Sequence, residues 1–148
     1  MFPGFLTEHC KLIKVADHTT AGTTAVNSAG VDMSQNGGFD SVCFFSSFGT
    51  AASNNTANVA QSDDDGSADD YTDLTGTSVS SGSSDEDVFV DVRAVGKKWI
   101  RFEAARGTSS TLESIWAILY NAKNVPVDNT TSGTIVGEQH AAVAEGTA

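Results

Sequence analysis

Carboxylates are the most concentrated chemistry-bearing side chains in this chain, and their densest run is Ser62 to Asp70 (SDDDGSADD). Asp63-Asp64-Asp65-Gly66, followed by Asp69, Asp70 and Asp73, places carboxylates at alternating loop positions around a glycine. Calcium loops use hard oxygen ligands at such intervals, with a glycine for the sharp turn. Asp63, Asp65 and Asp69 are the candidate ligands. The complete loop also ends in a Glu, which is missing here, and a solvated acidic loop explains the same residues. The second concentration is basic: Lys97, Lys98, Arg101 and Arg106, with Trp99 among them. On an acidic chain these form either a local docking patch or an internal salt-bridge set, because Arg101 and Glu103 share a strand face. An aromatic beside an arginine has the composition of an interface hot spot, so Lys97, Lys98, Trp99 and Arg101 are the candidate interface residues. A second sheet covering Trp99 accounts for it equally well.

Other chemistry finds little support. Nucleophilic catalysis needs a Ser or Cys beside a base on a recognisable turn, and there is no G-x-S-x-G. A Cys10–His18 pair is conceivable, but neighbouring surface residues are the simpler reading, and His9 and His140 lie in polar surroundings. There is no C-x-x-C, no H-E-x-x-H and no glycine-rich phosphate cradle. The sequence therefore offers no catalytic residue and no cofactor site. Asn54-Asn55-Thr56 and Asn129-Thr130-Thr131 match the glycosylation sequon, as chance matches in a chain that shows no secretory signal.

The elements that must position these residues are strands. From Asp85 to Val127 three dense runs are cut by two turn signals. Val88, Val90 and Val92 alternate with Phe89, Asp91 and Arg93. Ile100, Phe102 and Ala104 alternate with Trp99, Arg101 and Glu103. Trp116, Ile118 and Tyr120 oppose Ile115, Ala117 and Leu119. Period-two alternation of β-branched and aromatic residues predicts strands. Val95-Gly96-Lys97 and Arg106-Gly107-Thr108-Ser109 are short links, which favour antiparallel neighbours and predict a three-stranded meander. The third run is apolar on both faces and is expected to be the most buried. Phe39 to Phe48 is a second landmark, with Val42 and Phe44 on one face and Cys43 and Phe45 on the other, so an interior strand is expected. Cys43 then reads as a small buried hydrophobe.

Shorter strands are expected at Leu12–Val15, near Thr23–Ala25 and Val31–Met33, over Thr56–Gln61 and within Tyr71–Val79. Ile135-Val136 offers one more. Asp85-Glu86-Asp87 reads as a charged guard on a sheet edge. Roughly eight short strands spaced by turn signals predict an all-β fold, a single antiparallel β-sandwich or barrel of jelly-roll-like or Ig-like form. An N-terminal arm (1–20), a sandwich domain (21–127) and a C-terminal tail (128–148) are the expected divisions. The 148 residues suit one domain, and 39% hydrophobic content suits a modest core. Two cysteines, Cys10 and Cys43, make no disulfide framework. The net charge of −11 opposes both nucleic acid and an anionic membrane surface. No run approaches the ~18 apolar residues of a spanning helix.

Phe39-Asp40-Ser41-Val42, Ala60 to Val79 (AQSDDDGSADDYTDLTGTSV), Arg93 to Val127 (RAVGKKWIRFEAARGTSSTLESIWAILYNAKNVPV) and the ending Ala144 to Ala148 (AEGTA) occur in that order. In this the chain resembles small structural proteins of tailed bacteriophages, encoded near the major capsid protein. The resemblance covers the chain from about Phe39 onward and brings no catalytic residues. It implies a capsid decoration or cement protein on the phage head, assembled in the host bacterial cytoplasm. The implied partners are the major capsid protein and further copies of the chain, as a dimer or trimer, with no nucleic acid and no membrane. The arm and tail would reach neighbouring subunits. A head–tail connector or tail protein, and a calcium- or glycan-binding β-sandwich, are the alternatives.

Overall fold

The computed structural model describes residues 4–51, 54–129, 134–141 and 144–145. Two short 3-10 turns, Leu6–Glu8 and Gln35–Gly37, are the only helical pieces among them. The strands are β1 (Lys11–Ala16), β2 (Thr19–Gly22), β3 (Val26–Asn27), β4 (Val31–Asp32), β5 (Phe39–Phe48) and β6 (Asn55–Ser62). They continue as β7 (Thr72–Asp73), β8 (Val79–Ser81), β9 (Glu86–Arg93), β10 (Trp99–Ala105), β11 (Ser110–Leu112) and β12 (Ile115–Ala122). The fold is an antiparallel β-sandwich without barrel closure. One layer runs β1-β12-β5-β9; the other is built on β3-β10-β6-β7, with β4 beside β10 and β8 beside β6. A two-stranded ribbon, β2 with β11, closes one end.

The core lies between the layers, where the inward residues of each strand meet. Val42, Phe44, Phe48, Ile115, Ala117 and Leu119 of the first layer are buried, and so are Val59, Ile100, Phe102 and Ala104 of the second. Phe44 and Phe102 meet across the gap with ring centroids 5.9 Å apart. Burying a side chain of that size contributes about 2–3 kcal/mol.

Several expectations change. The three runs after Asp85 are not a meander: β9 and β12 flank β5 in one sheet, while β10 pairs with β6 in the other. Ala94 and Ser109 adopt positive φ of 55° each, so the chain turns out of its sheet instead of folding back. Val95 N–H is held by the Asp40 carbonyl, which fixes the crossing. β12 is buried on one face only; Trp116, Ile118 and Tyr120 are half-buried. Likewise β5 is central in its sheet, yet Phe45 is exposed and Cys43 only partly covered. Among the described residues no second layer covers that face.

The expected arm contains the edge strand of the first layer, since β1 pairs with β12 from Lys11 to Ala16 and buries Val15. The start of the expected tail is also tied down. Asn129 Nδ2 donates to the carbonyls of Thr7 and Cys10, and Leu12 N–H donates to Asn129 Oδ1. Val127 N–H donates to the Glu8 carbonyl, and Lys11 reaches the Asp128 carbonyl. Ile135 and Val136 lie outside regular structure. Residues 1–3 of the arm, and 130–133, 142–143 and 146–148 of the tail, lie outside the described residues. Both cysteines are free thiols. Among the described residues no helix is long and apolar enough to cross a membrane.

Candidate docking surfaces

The acidic loop is organised by one carboxylate. Asp64 Oδ1 accepts from the N–H groups of Gly66 and Asp69, and Oδ2 accepts from Ala68 N–H. The Ser62 hydroxyl adds a donor. Desolvation pushes the Asp64 pKa upward, but these donors together outweigh it and hold the group below the usual carboxylate range. Asp64 is thereby a loop template, with its oxygens turned inward.

Lys97 supplies the loop's cation. Its ammonium lies 2.6 Å from Asp69 Oδ2 and 3.1 Å from Asp63 Oδ2. The hydrogen bond from Lys97 is the main reason that Asp69 is held below the usual carboxylate range, and Asp69 and Asp63 in turn raise Lys97. So the structure joins two of the three candidate calcium ligands, Asp63 and Asp69, through a lysine. Asp65 takes no part in that pairing, and no group of three metal-capable side chains converges among the described residues.

The other basic candidates are also engaged within the chain. Arg101 pairs with Glu103 at 2.5 Å and stacks over the Tyr71 ring at 4.2 Å. Lys98 lies 3.7 Å from Asp32 and 5.8 Å from the Trp99 ring centroid. Trp99 is half-buried at the strand end, close to Gly30 and to the Tyr71 hydroxyl's resting place. Arg106 donates to the carbonyls of Thr20, Thr24 and Ser110, which binds β2 and β11 to the loop before β3. The arrangement is the internal salt-bridge set that Arg101 and Glu103 suggested. Cys10 and His18 do not form a nucleophile–base pair: the Cys10 thiol donates to the Leu6 carbonyl, and His18 faces Glu113 at 3.2 Å. Burial raises both thiol pKa values, with Asp91 adding to the effect at Cys43.

Among the described residues the exposed large apolar side chains fall in two places. One is at the chain ends. Leu6 and Val125 are well exposed and Val136 fully so. An open groove of about 1040 Å³ runs there, lined by Thr7, Leu12, Pro126, Val127, Ile135 and Val136 among others. Its walls are the two terminal segments that Asn129 stitches together.

The other is the outer face of the first layer. The register lines up Lys14, Trp116, Phe45 and Phe89 in one row across β1, β12, β5 and β9. The next row is Leu12, Ile118, Cys43 and Asp91. Phe89 is 66% exposed and Phe45 39%, and Phe45 stacks on Trp116 with centroids 6.4 Å apart. Tyr120 donates to Asp91 across β5 and roofs the buried Ser41. The sheet face was not among the sequence candidates, whereas the groove is lined largely by the arm and tail that were expected to reach neighbouring subunits. The available signal was Phe89, an aromatic in phase with Asp87, Asp91 and Arg93 rather than with the valines.

The fold is that of an all-β sandwich. No protein-family model matches the chain, and no curated protein matches it.

Proposed function

We propose that the chain is a non-enzymatic virion structural protein: a capsid decoration or cement protein that binds the outside of a tailed-phage head and stabilises joints between major capsid protein subunits. The observation that supports this reading is the open groove at the terminal segments, where the apolar Leu12, Pro126, Val127, Ile135 and Val136 stand among the polar groups of Glu8, Asp128 and Glu138. Apolar surface left open beside a rigid body is the kind that protein interfaces bury. Lys97, Arg101 and Arg106 are engaged in bracing loops and strands within the chain. An acidic body suits the outer side of a shell filled with DNA. The phage setting itself comes from the sequence resemblance after Phe39.

The test is to mix the purified protein with expanded capsids, sediment them and count bound copies. Binding in proportion to the capsid subunits or their local axes supports the proposal, and removing residues 130–148 should then lower occupancy while the sandwich stays folded. Only a few copies per particle would move the protein to the portal or tail. No binding would overturn the reading.

A further inference from the structure

The outer face of the four-stranded sheet lies on the opposite side of that layer from the core, and its charges are unevenly placed: Lys14 ends the aromatic row on β1, while Asp87 and Asp91 flank Phe89 on β9, with Arg93 one step beyond Asp91. Lys14 stands on the β1 edge, half-buried, and pairs with the exposed Asp17 on its own turn. On the β9 edge Asp87, Phe89 and Asp91 follow one another along the same outward register, and Asp87 and Phe89 are exposed. Between the edges lie Trp116 and Phe45, already stacked, with Ile118 and Cys43 in the adjoining row.

We infer that this face binds a second copy of the chain, about a two-fold axis running along the strands between β12 and β5. Such an axis turns the sheet over, keeps each row opposite itself, and lays the β1 edge of one copy on the β9 edge of the other. Trp116 then meets Phe45 of the second copy, twice. Lys14 comes to rest over Phe89 and beside Asp87, where the ring face and the carboxylate both attract an ammonium. A two-fold perpendicular to the strands would instead set each edge on itself, Lys14 near Lys14, and loses that match. Four strands ~4.8 Å apart and seven residues of ~3.3 Å give a face of about 19 by 23 Å, roughly 450 Å² per copy. The total of about 900 Å² is below the standard interface size, so the association is reversible and needs high protein concentration. This inference is independent of the capsid reading: it concerns another face and is tested without capsids.

Sedimentation equilibrium from micromolar to millimolar protein is the experiment. A reversible monomer–dimer equilibrium is expected, and Phe89→Ser should weaken it at least ~10-fold, because truncating a large exposed aromatic that the partner covers removes a hot spot. Phe89 is mostly solvent-exposed in the monomer, so the variant keeps its fold, which circular dichroism checks. Lys14→Glu and Asp87→Lys should each abolish dimers alone, since each sets like charges face to face. Mixed together they should form a heterodimer, because both contacts then join opposite charges. A monomer at millimolar concentration overturns the inference. A dimer indifferent to Phe89→Ser, or variants that fail to pair on mixing, overturns it as well.

Discussion

Asp64 shows how a residue can be conspicuous in the sequence for one reason and matter for another. Among the run of carboxylates it is the one whose two oxygens are taken by three backbone N–H groups. Asp64→Asn would turn an amide –NH₂ toward one of those donors, leaving N–H facing N–H. The loop from Asp63 to Asp70 should open, seen as faster hydrogen exchange at Gly66, Ala68 and Asp69 with the core strands unchanged. Acid should act on the same loop. Asp64 and Asp69 titrate below the usual carboxylate range, and so does Glu86 at the separate turn between β8 and β9, chiefly through the Ser81 hydroxyl. Their folded pKa values are depressed, so the stabilisation is fully present above the ordinary carboxylate pKa of about 4 and is lost as pH falls through the folded values. Lys97 runs the other way: its raised pKa gives a contribution complete below about 10.4 and lost only at higher pH. The exchange rates of the loop amides should therefore be flat from neutral pH down to about 5, once corrected for intrinsic exchange, and rise below about 4. A loop that held its protection in Asp64→Asn would remove Asp64 from this role.

Among the elements, what was legible depended on range. Every dense alternating run became a strand, because alternation is a local property: β5, β9, β10 and β12 all stand where the apolar periodicity put them. Which strand pairs with which is not local. The links after β9 and β10 are short enough for hairpins, and the glycines in them looked like the turn residues; the left-handed positions are Ala94 and Ser109. The outward faces of β5 and β12 misled for a related reason. Apolar residues on both sides of a strand signal two covered faces, and an uncovered interaction face carries the same composition. The inward faces carry the stability. Phe102 is fully buried and meets Phe44 from the opposite sheet. Phe102→Ala should destabilise the sandwich by about 3–5 kcal/mol in urea or thermal unfolding, because the site is held open by strands on both sides and can collapse little. A loss under about 1 kcal/mol would mean that the layers close over the gap, and that the core is not fixed by this cross-sheet contact.

For the molecule as a whole, charge and apolar surface oppose one another in self-association. Each copy carries a formal net charge of −11, so two copies repel at any distance that counterions do not screen. The attractive contacts across the outer sheet face act at a few ångströms: stacked rings, and Lys14 against Phe89 and Asp87. Screening reaches the long-range term first, since the Debye length falls from about 30 Å at 0.01 M salt to about 8 Å at 0.15 M. Dimerisation should therefore strengthen, by roughly tenfold or more in Kd, as salt rises over that range, and level off beyond it. Sedimentation at two or three ionic strengths decides the matter. An interface held mainly by ion pairs would respond in the opposite sense, weakening steadily with salt, and that result would leave the Lys14–Asp87 match in place while denying the aromatic rows their part. The same balance bears on how such a protein would crowd a surface. Free in dilute solution the copies keep apart by their charge. Brought to neighbouring sites on a shared scaffold, they meet at a high effective concentration, and a face of roughly 450 Å² per copy is then enough to couple them.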